Sequence, residues 1–248
     1  MSVCKGRSLG ILELERGIPP ETVQPSQSPN SIRNPSTFSF PTIFETVSGA
    51  WVDNVVAGDP RMEKPYIEAA RRLVERGASV ISSNCGFSVR HQAAVAAAAN
   101  VPVVMSSLLF VPSILLQLPA AAKIAILTYD STHCGDDIFE ILGIDGATRE
   151  ARFVVGGIEG SEFWRNSLEK PVVRTSLGSI QEDVAACAER LRAASPEIKC
   201  VLLECAEFPV AASVIRERTA LPVYDLVGLC KTTMAALANR DGFDVGPH

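Results

Sequence analysis

The 248-residue chain is 47% hydrophobic and 21% charged, with a formal net charge of -5, which describes a globular protein of one large domain or two small ones and excludes disorder or fibre. Twenty-three Lys and Arg stand against 28 Asp and Glu, with no basic cluster longer than Arg71-Arg72, so an electrostatic footprint for nucleic acid is excluded and small-molecule chemistry is favoured. Seven cysteines without a C-x-x-C pair fit neither a disulfide framework nor a zinc ribbon, and read as free thiols in a reducing cytoplasm.

At the N-terminus the apolar run Leu9 to Leu14 is broken by Glu13, too short for a signal-peptide core. Strands are expected at about 8-14, 79-84, 102-105, 123-129, 151-156, 200-204 and 222-226, and helices at about 65-77, 87-99, 131-142, 179-194, 208-219 and 227-239. Between the first strand and the first helix, Glu15 to Pro60 carries seven of the 16 prolines and many serines. It reads as one long loop, of which Asn34 to Pro41, with its aromatics, could pack down as a lid. Gly77 and Asn100 sit where helix C-caps belong. Ala93 to Ala122 holds no charge, but Pro102, Pro112 and Pro119 cut it into pieces, so a buried strand and helix are expected there and no membrane span. The runs VISS, VPVVM, KIAILTY and CVLLE lack period-two alternation, as do strands covered on both faces. Alternating strands and helices give an α/β protein with largely parallel sheets.

Residues 81-105 align without a gap on residues 201-225, placing Cys85 on Cys205 (205 - 85 = 120), Pro102 on Pro222 and Val103 on Val223. Another strand lies upstream of each unit, at 10-14 and 124-128. This internal repeat implies two similar parallel-sheet halves, about 1-115 (with the loop 15-60) and 116-230, related by a pseudo-twofold with the active site in the cleft between them. Residues 231-248 then form the end of the last helix and a tail. Both cysteines end a strand and begin a helix, the edge where open α/β sheets bind ligands. A helix N-terminus should lower a thiol's pKa and can hold a carboxylate. Two such sulfurs facing one ligand suit removing a proton from one face of a carbon and returning one to the other.

The segments SSNCGFSVRHQ, VPVVMSSLLFVP and LLECAEFP followed by LPVYDLV resemble the aspartate/glutamate racemase superfamily, over about residues 8 to 230. NPSTFSFP and the C-G-F with Gln92 are similar to its aspartate/glutamate racemase-like branch. The resemblance implies an isomerase, a cofactor-independent two-base racemase or epimerase acting at the α-carbon of an amino acid or related carboxylate, with Cys85 and Cys205 as its catalytic cysteines. Glutamate racemases carry Cys-Asn-Thr and Cys-Thr-His where this chain has Cys85-Gly86-Phe87 and Cys205-Ala206-Glu207, so a substrate other than glutamate is expected. Maleate isomerase-like and arylmalonate decarboxylase-like chemistries are alternatives within the superfamily. A Cys-His hydrolase using His133 beside Cys134, and a non-catalytic ligand-binding protein on this fold, are alternatives outside it.

Around the two cysteines, Ser83, Asn84, Gly86, Phe87, Ser106, Ser107, Thr128, Ala206 and Glu207 form the expected substrate shell, with Asn34 and Thr37 closing from the long loop. Caps, turns and helix-dipole complementation are the ordinary alternatives for the polar ones. Cys187, Cys200 and Cys230 lie within apolar helices and a strand and read as core, and Cys4 as tail. His91, His133 and His248 have no metal-ligand spacing, and no dinucleotide or phosphate-loop motif occurs. No cofactor or metal is therefore expected, the partner is a small-molecule carboxylate, and a homo-oligomer is compatible with these features.

Overall fold

The computed structural model describes residues 7–237. Cys4, Lys5 and His248, with the tail beyond Leu237, lie outside the described residues. In chain order the strands are β1 (Ser8–Glu13), β2 (Thr42–Thr46), β3 (Ala78–Ser83), β4 (Val103–Val104), β5 (Lys123–Thr128), β6 (Phe153–Gly157), β7 (Ile198–Leu203) and β8 (Val223–Tyr224). The α-helices are α1 (Val52–Val56), α2 (Glu63–Glu75), α3 (Gln92–Ala99), α4 (Val111–Gln117), α5 (Asp136–Ile141), α6 (Gly146–Arg152), α7 (Glu162–Leu168), α8 (Leu177–Ala194), α9 (Ala212–Thr219) and α10 (Leu226–Ala236).

All strand pairs are parallel, in two four-stranded sheets of order β2-β1-β3-β4 and β6-β5-β7-β8. The α/β two-half architecture is thus the observed one. The repeat extends to register: Ile81 pairs with Val103 as Val201 pairs with Val223, and Leu12 with Ser83 as Leu127 with Leu203. Inner strands β1, β3, β5 and β7 are nearly all buried, which explains their continuous apolar runs. In both sheets the chain leaves the first strand toward one edge and the second toward the other, creating a switch point between β1 and β3 and between β5 and β7. Crevices for ligands open at the carboxyl ends of strands at such points.

The two halves are locked together through this edge. The turn after β4 packs on β7, where Ser107 Oγ donates to Leu203 O at 2.5 Å. Helix α10, which follows β8, returns to β3, seating Leu226, Val227, Cys230 and Met234 on Leu9, Ile11 and Val80. Among the described residues no helix is long and apolar enough to cross a membrane.

The segment 15–60 departs from the expected unbroken loop, since it contains β2 and α1. Strand β2 is an edge strand, half-buried at all five positions, so it carries no apolar run that would stand out among the surrounding prolines. Ile32 and Phe38 are buried, and Phe38 stacks on Phe40 at 5.1 Å, so the segment packs onto the core. Helices α4, α6 and α7 also lack a sequence signal. Each spans seven residues, and α6 and α7 bury none of them, leaving no stripe to read.

Equivalent helix ends close both units: Asn100 and Ala220, 120 positions apart (220 - 100), adopt the left-handed conformation at φ 53° and 55°. Asparagine tolerates that region, whereas an alanine Cβ crowds the following carbonyl. Replacing the exposed Ala220 by Gly should therefore stabilise the protein by about 1 kcal/mol, raising the melting temperature by roughly 2–4 °C. Asn100→Ala should lower it. Calorimetry of the two variants checks both signs.

Candidate active site

Strands β3 and β7 are each followed by one residue and then a cysteine: Ser83, Asn84, Cys85 and Leu203, Glu204, Cys205. The Asn84 N–H donates to Leu12 O at 2.9 Å and the Glu204 N–H to Leu127 O at 2.8 Å. This extends each ladder by one residue past its strand. The thiols therefore stand at the switch points, and both line one cavity of about 100 Å³ between the halves. Its roof joins two loops, where the Val172 N–H donates to Arg16 O at 3.0 Å. Gly17 allows this approach, with φ +72° and an added Cβ falling 2.9 Å from Pro171 Cα. Arg16 lines the cavity, and its buried Nε has no hydrogen-bond partner. Phe87, Tyr129 and Phe163 supply aromatic surface, and Glu204 and Glu207 supply carboxylates.

Glu204 is the most constrained of these groups. It is 1% exposed, and its Oε2 accepts from Thr128 Oγ1 at 2.8 Å and from the Tyr129 N–H at 3.4 Å. Its Oε1 is buried without a partner. A Cβ on Gly86 would collide with Glu204 O and Oε1, so only glycine fits beside the acid. The pseudo-equivalent Asn84 uses Oδ1 in the matching way, accepting from the Leu14 N–H at 3.0 Å. One half thus places a neutral amide where the other places an acid. Burial pushes the Glu204 carboxyl up to about 7 against the weaker pull of the Thr128, Tyr129 and Arg90 groups.

The expected activation of the thiols by helix N-termini is not what the structure shows. Burial first, and then the charge of Glu204, push Cys85 up to about 12, although it receives the N–H groups of Phe87 and Ser88. Cys205 is raised further by burial, Glu204, Cys85 and Glu207, with a single backbone N–H to offset them. The chain after each cysteine is a short 3-10 turn, Gly86–His91 or Phe208–Ala211. For thiols buried beside a carboxylate, desolvation and like charge outweigh those few dipoles.

Of the sequence-selected residues, Asn84, Cys85, Gly86, Phe87, Cys205 and Glu207 line this cavity. Ser83 and Thr128 sit one layer behind, Ser83 Oγ accepting from the Cys85 N–H at 3.3 Å and Thr128 holding Glu204. Ser106 caps the turn after β4, accepting from the Leu108 N–H, and Ser107 ties the halves together. Ala206 belongs to the core against α10. Asn34 and Thr37 do not reach the cavity: their side chains close turns within the loop, on Ser28 O and Ser31 O, so it is the start of that loop, Glu15 and Arg16, that faces the thiols. Sequence reasoning omitted Arg16, Tyr129, Phe163 and Glu204 from the site. Glu204 had one available signal, an acid ending an otherwise apolar strand. His91 is buried and stacks on Tyr66 at 5.0 Å, while His133 binds Asp130 at 3.2 Å in a half-exposed turn. Neither lines the cavity. Among the described residues no cluster suits a metal ion.

Comparisons with known proteins locate this arrangement. No family model matches the chain. A dimethylsulfoniopropionate lyase of Durusdinium sp. clade D is 30% identical over 232 residues, covering 90% of this chain and 72% of that protein. One from Emiliania huxleyi is 27% identical over 255 residues, covering 98% and 71%. Among solved structures, allantoin racemase from Pseudomonas fluorescens aligns with TM-score 0.59 and 15% identity, over 93% of this chain and 90% of that one. A sulfate-associated arylmalonate decarboxylase variant aligns with TM-score 0.55 and 16% identity over 87% and 86%. Glutamate racemase from Francisella tularensis, in complex with D-glutamate, gives 0.54 and 12% over 94% and 80%. The fold is the one that these racemases and the decarboxylase share. The expected isomerase activity, however, is overturned by the sequence relatives, which are named as lyases. The racemase likeness was one of scaffold, and scaffold does not fix the reaction.

Because the Glu204 carboxyl is raised in the folded chain, it favours folding below its ordinary value of 4.5, and that contribution is lost as pH rises through about 7. Glu204→Gln should accordingly be more stable than the parent above neutrality, by up to about 3 kcal/mol, with the difference vanishing in acid. Thermal melts across this range check the sign. A gain of equal size in acid and in base would show that the carboxyl is not raised by burial.

Proposed function

The chain belongs to the dimethylsulfoniopropionate lyase family, and on that premise we propose that it is a lyase that splits dimethylsulfoniopropionate, or a close β-sulfonio acid, by elimination. Such a substrate is a zwitterion, with a carboxylate at one end, a sulfonium cation at the other and an acidic α-carbon hydrogen between them. The observation that carries this reading is a cavity holding both thiols with a complementary lining, Arg16 for the carboxylate and the Phe87, Tyr129 and Phe163 rings with Glu204 and Glu207 for the cation. Aromatic faces and acids attract a sulfonium as they do an ammonium.

Elimination needs one base where racemisation needs two. Cys85 is the better placed, since it receives two backbone N–H groups and the field of Arg90, whereas Cys205 receives one N–H and faces two acids. Its thiolate removes the α-proton, the electrons form the double bond of acrylate, and the carbon–sulfur pair leaves as neutral dimethyl sulfide. An arriving sulfonium favours that thiolate by the positive charge it brings beside a buried sulfur. Cys205 and Glu207 then line the side of the departing sulfide.

Incubation with dimethylsulfoniopropionate should release dimethyl sulfide and acrylate in equal amounts, measured by headspace gas chromatography and chromatography of the acid. Cys85→Ala should lower kcat by about 10²–10⁴, and Arg16→Met should raise KM by roughly tenfold or more, the worth of a charge-assisted hydrogen bond. No sulfide released from the parent, or a Cys85→Ala variant that works at the parental rate, would sink the assignment.

A further inference from the structure

Burial beside the Glu204 carboxylate favours the protonated form of the Cys85 thiol, and the buried, unpartnered Oε1 of that carboxylate lies against Gly86, the next residue along the chain. The groups that face Glu204 leave that oxygen free. Thr128 and the Tyr129 N–H occupy Oε2. Arg90 is the nearby cation, but its guanidinium is committed to Asp137 at 2.7 Å, Val56 O and His133 O. The Tyr129 hydroxyl donates to Trp164 O at 2.9 Å. What remains around the carboxylate are thiols: Cys85, Cys205 and Cys134, each raised in part by its charge.

We propose that Glu204 is the proton acceptor of this site, its free Oε1 taking the thiol proton of Cys85 so that one negative charge is shared between carboxylate and sulfur. The chemical step rests on the lyase reading; the sharing of charge does not. In that step the Cys85 S–H bond breaks and an Oε1–H bond forms, with no change in net charge. The thiolate then takes the substrate's α-proton as the carbon–sulfur bond breaks and dimethyl sulfide leaves. The site is left with a thiol and a carboxylic acid, and Glu204 returns its proton to solvent as the products depart. One proton is released per turnover, as the elimination requires. Two ionised groups in this cavity would repel strongly, and none would leave no base. A carboxyl that neither ion-pairs nor fills both oxygens is the arrangement that keeps the charge transferable.

The test is the pH dependence of Cys85 alkylation by iodoacetamide, followed by peptide mass spectrometry in the full chain. A singly charged Glu204–Cys85 pair carries a fixed fraction of its charge on sulfur. The parent rate should therefore rise with pH and level off above about pH 7, where the pair has lost its first proton. Glu204→Gln should lose that inflection and rise steadily through the thiol's own titration, and its release of dimethyl sulfide should fall at least about 100-fold. Thr128→Ala, which removes one donor to Oε2, should keep the inflection and move it upward, and decides the matter should the glutamine variant not fold. Identical alkylation profiles in parent and variants, or parental elimination by Glu204→Gln, would overturn the proposal. An inflection abolished by Glu204→Gln in a protein that releases no sulfide would uphold the acceptor while refuting the lyase reading.

Discussion

Burying one carboxylate without a cation to pair it is costly, because the charged form loses its hydration and gains little in return. Glu204 is held in that position by the fold itself. Its backbone continues the β7 ladder onto Leu127, its Oε2 is met by Thr128 and Tyr129 at the end of β5, and Gly86 from the other half closes over Oε1. Much of the surrounding structure follows from this one group. Gly86 must lack a side chain, the neighbouring thiols must stay protonated at rest, and Arg90 is directed away toward Asp137.

The pseudo-twofold makes the device asymmetric. Both halves present the same ladder, turn and cysteine, yet the residue before the cysteine is Asn84 in one and Glu204 in the other, bonded to Leu14 and Tyr129 at equivalent places. A racemase must treat the two faces of a carbon alike, whereas an elimination needs a base on one side and room for a leaving group on the other. The neutral amide beside Cys85 and the acid beside Cys205 fit the second requirement. The scaffold is common to racemases and a decarboxylase among the solved structures, so the reaction is set by a handful of side chains at its switch points.

The repeat of residues 81-105 on 201-225 was legible because strand, turn, cysteine and Pro-Val recur at constant spacing, and the register, the ladder extensions and the caps at Asn100 and Ala220 all obey it. Strand β2 was hidden because an edge strand buries no full face, and α6 and α7 because they bury nothing. Both cysteines line the cavity where the repeat puts them, while burial raises the thiols that helix N-termini alone would lower: helix dipoles can be read from sequence, whereas desolvation depends on what closes over a group in three dimensions. Arg16 and Phe163 reach the cavity through loop and helix contacts across the two halves, which no local pattern encodes. Asn34 and Thr37 illustrate the reverse case, polar loop residues whose hydrogen bonds are spent on their own turns.

The protonation of Glu204 itself is the most direct test of this account. Infrared difference spectra of the parent against Glu204→Gln, titrated through neutrality, isolate the carbonyl stretch of a single buried carboxylic acid. That band should persist well above the ordinary carboxylate range and disappear with a midpoint near pH 7. A Glu204 already ionised at its ordinary value of 4.5 would contradict the account, because the carboxylate would then be too weak a base to share its charge with a thiol.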